Sequence, residues 1–242
     1  MRSGRPVAVM FVTTSLGGGG AEKHAQRVAN ALAKSGHSVS VAVCRPDGDY
    51  ERSLVDDVDI LHLTNGRIRS STGSLIASVP SLVRAIRSCS PDVICGLPSN
   101  ISMALAPVLV AMRSKVPAVF CVQNNPGCNG RRFGGLGLRK SLQKTAYRVA
   151  ARIVAASEGV ADRLDASGIV GREKVSVIYN AGVDREVYEK KDEQLNTELF
   201  GEGPVVLACG SLTKQKGYPY LIEAFGRIRN SHDASLVIVG EG

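Results

Sequence analysis

Two loops in this sequence put glycine and lysine where an anion could be held. The first is Ser15-Leu-Gly-Gly-Gly-Gly-Ala-Glu22, between an apolar run at 6–13 and an amphipathic stretch at 21–35. Ordering four consecutive glycines costs more chain entropy than ordering any other tetrad. The cost is offset where main chain must approach a ligand closely. N–H groups at a helix start, together with the helix dipole, favour an anion there. A merely flexible connection is the plain alternative. The second loop is Leu207-Ala-Cys-Gly-Ser-Leu-Thr-Lys-Gln-Lys-Gly217, again an apolar run, a loop and a helix start, with Lys214 and Lys216 as cations. Lysine beside helix N–H groups suits a diphosphate. Neither glycine frame at 17–20 completes G-x-G-x-x-G, so NAD and FAD are not supported. G-x-x-x-x-G-K-[ST] is absent as well.

The elements that must position these loops follow from periodicity. Short apolar runs at 6–13, 38–44, 59–63, 92–95, 117–122 and 152–156 read as strands. Stretches at 21–35, 75–88, 101–113, 138–150 and 157–166 read as helices. In the first helix Ala25, Val28, Ala29 and Leu32 share a face. Near-continuous apolar strands alternating with helices mean a parallel sheet covered on both faces. The fold class is α/β, with a doubly wound, Rossmann-type N-terminal domain over 1–174. A further strand at 175–179, a polar loop-like connection at 185–203, strands at 204–209 and 235–239 and a helix at 218–229 make the start of a second Rossmann-type domain over 175–242. Two or three strands cannot bury both faces of a sheet. The second domain therefore reads as only begun, one βαβ unit of an incomplete C-terminal half.

The 242-residue chain has an ordinary globular composition, 44% hydrophobic and 21% charged, which can bury a sizeable core. Its net charge of +8 is uneven: residues 93–157 contain no Asp or Glu but nine Lys or Arg. Such a stretch is either a solvated basic surface or an attractor of phosphate, anionic lipid or nucleic acid. The six cysteines form no C-x-x-C pair, and most sit in apolar runs, so they read as reduced thiols in a cytoplasmic protein. The apolar run after Arg2 and Arg5 is too short for a signal peptide, and 101–112 is too short to span a bilayer.

Five segments resemble, in order and spacing, the retaining GT-B glycosyltransferases of the Gly-Gly-Ala-Glu type (glycosyltransferase family 4-like). They are Gly19-Gly20-Ala21-Glu22, Val154-Ala-Ala-Ser-Glu-Gly-Val-Ala161, Val177-Ile-Tyr-Asn-Ala-Gly-Val-Asp184, Gly210-Ser-Leu-Thr-Lys-Gln-Lys-Gly217 with Leu221-Ile-Glu-Ala224, and Val237-Ile-Val-Gly-Glu-Gly242. The resemblance implies transfer of a sugar from a nucleotide-diphosphate sugar, such as a UDP- or GDP-sugar, to an acceptor hydroxyl with retention and without a metal or other cofactor. It implies that Gly19, Gly20, Ser211 and Lys216 bind the donor diphosphate, and that Glu22, Gln123, Asn124, Ser157 and Glu158 lie on the acceptor and sugar side. Asn180 would lie at the cleft or hinge. The chain departs from the family at three places: Ser211 stands where Arg is common, Gln123 where His is common, and the Glu-x7-Glu donor motif does not occur. A non-catalytic relative acting as a binding partner, and a nucleotide-sugar epimerase-like enzyme, are the alternatives.

Other features carry less. Asp47-Gly-Asp49 and Asp57-Val-Asp59 match D-x-D but lack the apolar strand in front, and read as loop. His24, His37, His62 and His232 have no metal-ligand spacing. In 138–150, Leu138, Leu142, Ala146 and Val149 form an apolar stripe beside Lys140, Lys144 and Arg148. That pattern fits either a helix packed on the core or peripheral contact with an anionic membrane, where a saccharide or lipid-linked saccharide acceptor of polysaccharide or glycolipid assembly would be met. Only Phe133 and Tyr147 could stack on bases in the basic stretch, so nucleic acid is not an expected partner.

Overall fold

The structure is a computed structural model. It describes residues 5–17, 19–46, 48–66, 68, 70–97, 99–123, 136–182, 185–193, 203–229 and 231–241. The chain divides into two compact units, Met1–Gly182 and Val183–Gly242.

The first unit runs β1 (Ala8–Thr13), α1 (Gly20–Lys34), β2 (Ser38–Val43), β3 (Val58–His62), α2 (Ser71–Cys89), β4 (Val93–Gly96), α3 (Ser99–Ala111), β5 (Ala118–Val122), α4 (Leu136–Val149), β6 (Arg152–Ala155), α5 (Glu158–Ala166) and β7 (Val175–Val177). The seven strands form one sheet in the order β3-β2-β1-β4-β5-β6-β7, all pairs parallel. Strand order therefore reverses beside β1, which pairs with β2 on one side and β4 on the other. Ligands of open α/β sheets bind outside the carboxyl ends of the strands at such a reversal.

Successive side chains of a strand point to opposite faces, and both faces are covered. Val9 and Phe11 of β1, with Val39, Val41 and Val43 of β2, pack against Ala25, Ala29 and Ala33 of α1. Met10, Val12, Ile94, Phe120 and Ile153 pack on the other face against Leu82, Leu105, Ala146 and Leu164 of α2 to α5. Each fully buried Leu, Ile or Phe contributes roughly 1.5–3 kcal/mol. The small alanines on α1 bring that helix close to the sheet, which fixes the loop in front of it.

Two expectations are corrected. The boundary expected after residue 174 fails because β7 pairs with β6, Ile153 opposite Val175 and Ala155 opposite Val177, so 175–177 complete the first sheet and the unit runs through Gly182. The connection expected to be loop from 185 contains a helix, α6 (Arg185–Lys190). The second unit continues with β8 (Val205–Cys209), α7 (Tyr218–Arg229) and β9 (Ser235–Val239), in which β8 and β9 pair in parallel. Val205, Val206 and Leu207 of β8 are exposed.

Candidate functional site

The glycine loop lies where β1 hands over to α1. Leu16, at its start, is fully buried. Gly19 is the N-cap of α1 in extended conformation, and it offers no side chain to the first-turn N–H groups. The helix ladder begins with Lys23 N donating to Gly19 O at 3.0 Å. A methyl group added at Gly20 would meet no protein atom within 4 Å, so this main chain faces open space. The carboxylate of Glu22 folds back against Gly19, and a side chain there would have to displace it. The first turn of α1 thus presents uncapped N–H groups beside an opening, which is the geometry an anion needs.

The segment after β2 braces this loop. Cys44 N donates to Thr13 O at 3.1 Å, Arg45 N to Thr14 O at 2.8 Å, and Tyr50 N to Leu16 O at 2.9 Å. Gly48 N in turn donates to Glu51 Oε1 at 3.3 Å, and Glu51 Oε2 lies 3.0 Å from His62 Nε2. Asp49, half of one D-x-D match, opens the 3-10 helix Asp49–Ser53. Lys23 Nζ sits 5.9 Å from the centre of the Tyr50 ring, and Gln26 and Asn30 of α1 donate to Ser53 O at 2.7 and 2.8 Å.

Next to β1, Leu97 N donates to Val12 O at 3.0 Å and carries the chain from β4 into α3. Gln123 directly follows β5, and its Nε2 is buried without a partner. The structure therefore places Gly19, Gly20, Glu22 and Gln123 on one edge of the sheet. Asn124 lies outside the described residues. Ser157 caps α5, its Oγ accepting from Val160 N at 3.3 Å, and Glu158 pairs with Arg172 at 2.8 Å. Both follow the carboxyl end of β6, so they share the edge, but their polar atoms already have local partners. Asn180 is exposed close to the end of the first unit, where Arg27 of α1 donates to Ala181 O at 2.7 Å and Gly182 O at 3.1 Å.

Four residues at this edge carry buried atoms without a partner that no motif marked: His24 Nδ1, Arg45 Nε, Asn100 Oδ1 and Ser102 Oγ. Burial, and then the Arg27 charge, hold the His24 imidazole below its ordinary value. A histidine one turn into a glycine-loop helix, and an arginine straight after a strand, were the signals available for two of them.

In the second unit Gly210 ends β8 with φ +147, a conformation that favours glycine. Tyr218 Oη donates to Gly210 O at 2.8 Å. Lys216 folds over the same residue, its Nζ 3.6 Å from the position a Gly210 Cβ would take. Gly217, at φ +68, turns the 3-10 helix Lys214–Lys216 into α7, and Ser211 is exposed in the loop. Ser211 thus directly follows the glycine that Lys216 folds over, at the carboxyl end of β8. Among the described residues no cluster of His, Cys, Asp and Glu could hold a metal.

In α4 Ala146 and Tyr147 are buried while Lys144 and Arg148 are exposed, so the later part of the apolar stripe packs inward. The side chains of Leu138 and Lys140 lie outside the described residues. No helix of the described residues is long and apolar enough to cross a membrane.

Solved structures share this fold. Anabaena HepE in complex with UDP and glucose matches with a TM-score of 0.73 at 20% identity, over 98% of this chain and 61% of that one. Sucrose-phosphate synthase from Thermosynechococcus elongatus matches at 0.68 and 15% identity, over 96% and 62%. UDP-N-acetylglucosamine 2-epimerase from Rickettsia bellii matches at 0.61 and 14% identity, over 97% and 62%. The chain spans about three fifths of the length of these structures. A comparison with curated proteins gave no match. The helix start at Gly19-Gly20 and the segments around β6 and β7 fall within residues 18–187, where the description of Glycosyltransferase Family 4 matches, and the chain belongs to that family.

Proposed function

We propose that this chain is part of a retaining glycosyltransferase that moves a sugar from a nucleotide-diphosphate sugar to an acceptor hydroxyl. The observation that carries the reading is the uncapped first turn of α1, with Gly20 facing open space at the strand reversal. In the reaction the acceptor oxygen bonds to the anomeric carbon, the bond from that carbon to the diphosphate oxygen breaks, and the acceptor's hydroxyl proton passes to the departing diphosphate. Gly19 and Gly20 let the main chain approach the diphosphate. In the second unit, Ser211 and Lys216 offer a hydroxyl and a cation of the kind that binds a diphosphate. Fixed N–H dipoles, like an ammonium, stabilise a transition state most where charge develops on the leaving group. No metal is assigned a role.

HepE was solved with UDP and glucose, which supports a UDP-sugar as the first donor to try. Acceptors in polysaccharide or glycolipid assembly, and peripheral contact of the basic 93–157 stretch with the inner face of a membrane, belong to the same proposal. Co-sedimentation with anionic vesicles at low salt checks the membrane contact, and no binding removes it.

The test is calorimetric titration of UDP and UDP-glucose into the protein and into Gly20→Val and Lys216→Ala. Each variant is expected to weaken UDP binding about tenfold or more. Unchanged binding in both overturns the diphosphate assignment. The likeness to the 2-epimerase favours one second reading. Incubation with UDP-N-acetylglucosamine alone, followed by sugar analysis, separates them: epimerised sugar without an acceptor supports the epimerase.

A further inference from the structure

The chain leaves the first unit through a bare segment. One residue past β7, Ile178 N donates to Ala155 O at 3.0 Å and extends the pairing with β6. Residues 179–182 follow, belong to no helix or strand and are all exposed. Ile178 is 55% and Tyr179 67% exposed, so burial of their apolar surface holds the segment only weakly. Among the described residues two hydrogen bonds reach 179–182, and both come from Arg27 of α1. Its Nη1 donates to Ala181 O at 2.7 Å and to Gly182 O at 3.1 Å. Gly182 is the last residue of the first unit.

Arginine suits this task. A guanidinium stays charged, its nitrogens only donate, and Nη1 carries two hydrogens, one for each carbonyl. Hydrogen bonds from a charged donor are stronger than neutral ones. Arg27 lies about two turns beyond Gly20, on a helix that Ala25, Ala29 and Ala33 pack against the sheet. The anchor is therefore firm, while the segment it holds has few contacts of its own to fix it.

We propose that Arg27 is a strap: it anchors the chain to α1 where it passes from the first unit to the second, and its release widens the range of positions open to the second unit. The helix that offers the uncapped first turn is then also the helix that holds the exit. This inference goes beyond the transferase reading and does not depend on it.

The test compares the protein with Arg27→Met, which keeps an unbranched stem and removes every donor. Chymotrypsin cuts after exposed tyrosines, and the cleavage rate follows the fraction of time a segment is open. Cleavage after Tyr179, read by peptide mass mapping, is expected to be about tenfold faster in the variant. Tyr188 and Tyr220, 63% and 79% exposed in the second unit, are internal references whose rates stay as they were. Arg84→Met, a change at an exposed arginine of α2, is expected to alter none of the three. Nitroxide labels on Cys89 and Cys209, the exposed cysteines of the two units, in a Cys128→Ser background, then read the second clause: their distance distribution is expected to broaden in Arg27→Met. Unchanged cleavage after Tyr179 overturns the strap. So does a rise shared equally by Tyr188 and Tyr220, or matched by Arg84→Met, since either is general loosening. Faster cleavage with an unchanged distance distribution overturns the control of the second unit. If Arg27→Met does not fold, Arg27→Lys takes its place. The lysine ammonium sits one bond short of Nη1, so a smaller rise at Tyr179 alone supports the strap and no rise overturns it.

Discussion

Gly48 rests on the main chain of Leu16: a methyl group at position 48 would overlap the Leu16 carbonyl and come within 2.7 Å of Gly17 N. This contact ties the segment after β2 to the glycine loop, and the Tyr50 N–Leu16 O hydrogen bond continues it. Backbone cannot yield here as a flexible side chain would. Gly48→Ala is expected to displace the loop at 16–17 and to cost about 1–3 kcal/mol, as overpacking does. Urea unfolding measures the cost, and UDP titration of the folded variant measures the loop. A variant with wild-type stability and wild-type UDP affinity would falsify the bracing role.

The His24 imidazole makes stability depend on pH. Burial, and then Arg27, hold its folded value below the ordinary 6.5. The unfolded chain therefore binds the proton more readily than the folded one. The sign follows: stability from this residue is full above about 6.5, and it is lost as pH falls through that value and on through the lower folded value. The Tm of the protein is expected to fall between pH 7 and pH 5 more steeply than that of His24→Gln. Parallel Tm curves for the two proteins remove His24 from the account.

Most of the fold was legible because it is local. The β1–α1 and β8–α7 turns are marked by runs of glycine and lysine, and the strands by unbroken apolar residues. Strand order was not legible, since β1 pairs with β4, some 80 residues away in sequence. The same non-locality hid β7: Val175-Ser-Val177 looks like the opening of a new unit until its pairing with Ile153 and Ala155 is seen. α6 was hidden by its charged sequence. The site shows the same division. Gly19, Gly20 and Lys216 lie in turns that any reader of helix starts would mark. Arg45, Asn100 and Ser102 have no motif, and only their burial without partners singles them out.

Thiol reactivity follows burial. The Cys95 thiol is pushed up to about 12 and Cys121 to about 11, both chiefly by burial, and Cys44 is raised for the same reason. Cys89 and Cys209 are exposed. Since the thiolate is the reactive form, iodoacetamide at pH 8 is expected to modify Cys89 and Cys209 at least about tenfold faster than these three. Peptide mass mapping over a time course reads the order. Early labelling of Cys95 would show that the α1-side face of β4 and β5 opens readily.

Ser157 and Glu158 are the residues where a local structural job and a substrate contact can be separated by measurement. The Ser157 hydroxyl accepts from Val160 N, so Ser157→Ala uncaps α5 and is expected to cost about 1 kcal/mol. The Glu158–Arg172 pair is well exposed on both sides, 59% and 42%. Glu158→Gln is therefore expected to cost well under 1 kcal/mol, and less in high salt. If the local jobs are all these side chains do, urea unfolding moves for Ser157→Ala, hardly moves for Glu158→Gln, and sugar affinity is unchanged in both. A loss of sugar affinity in Glu158→Gln, with stability intact, would instead place its carboxylate on the ligand, with the Arg172 pair broken on binding.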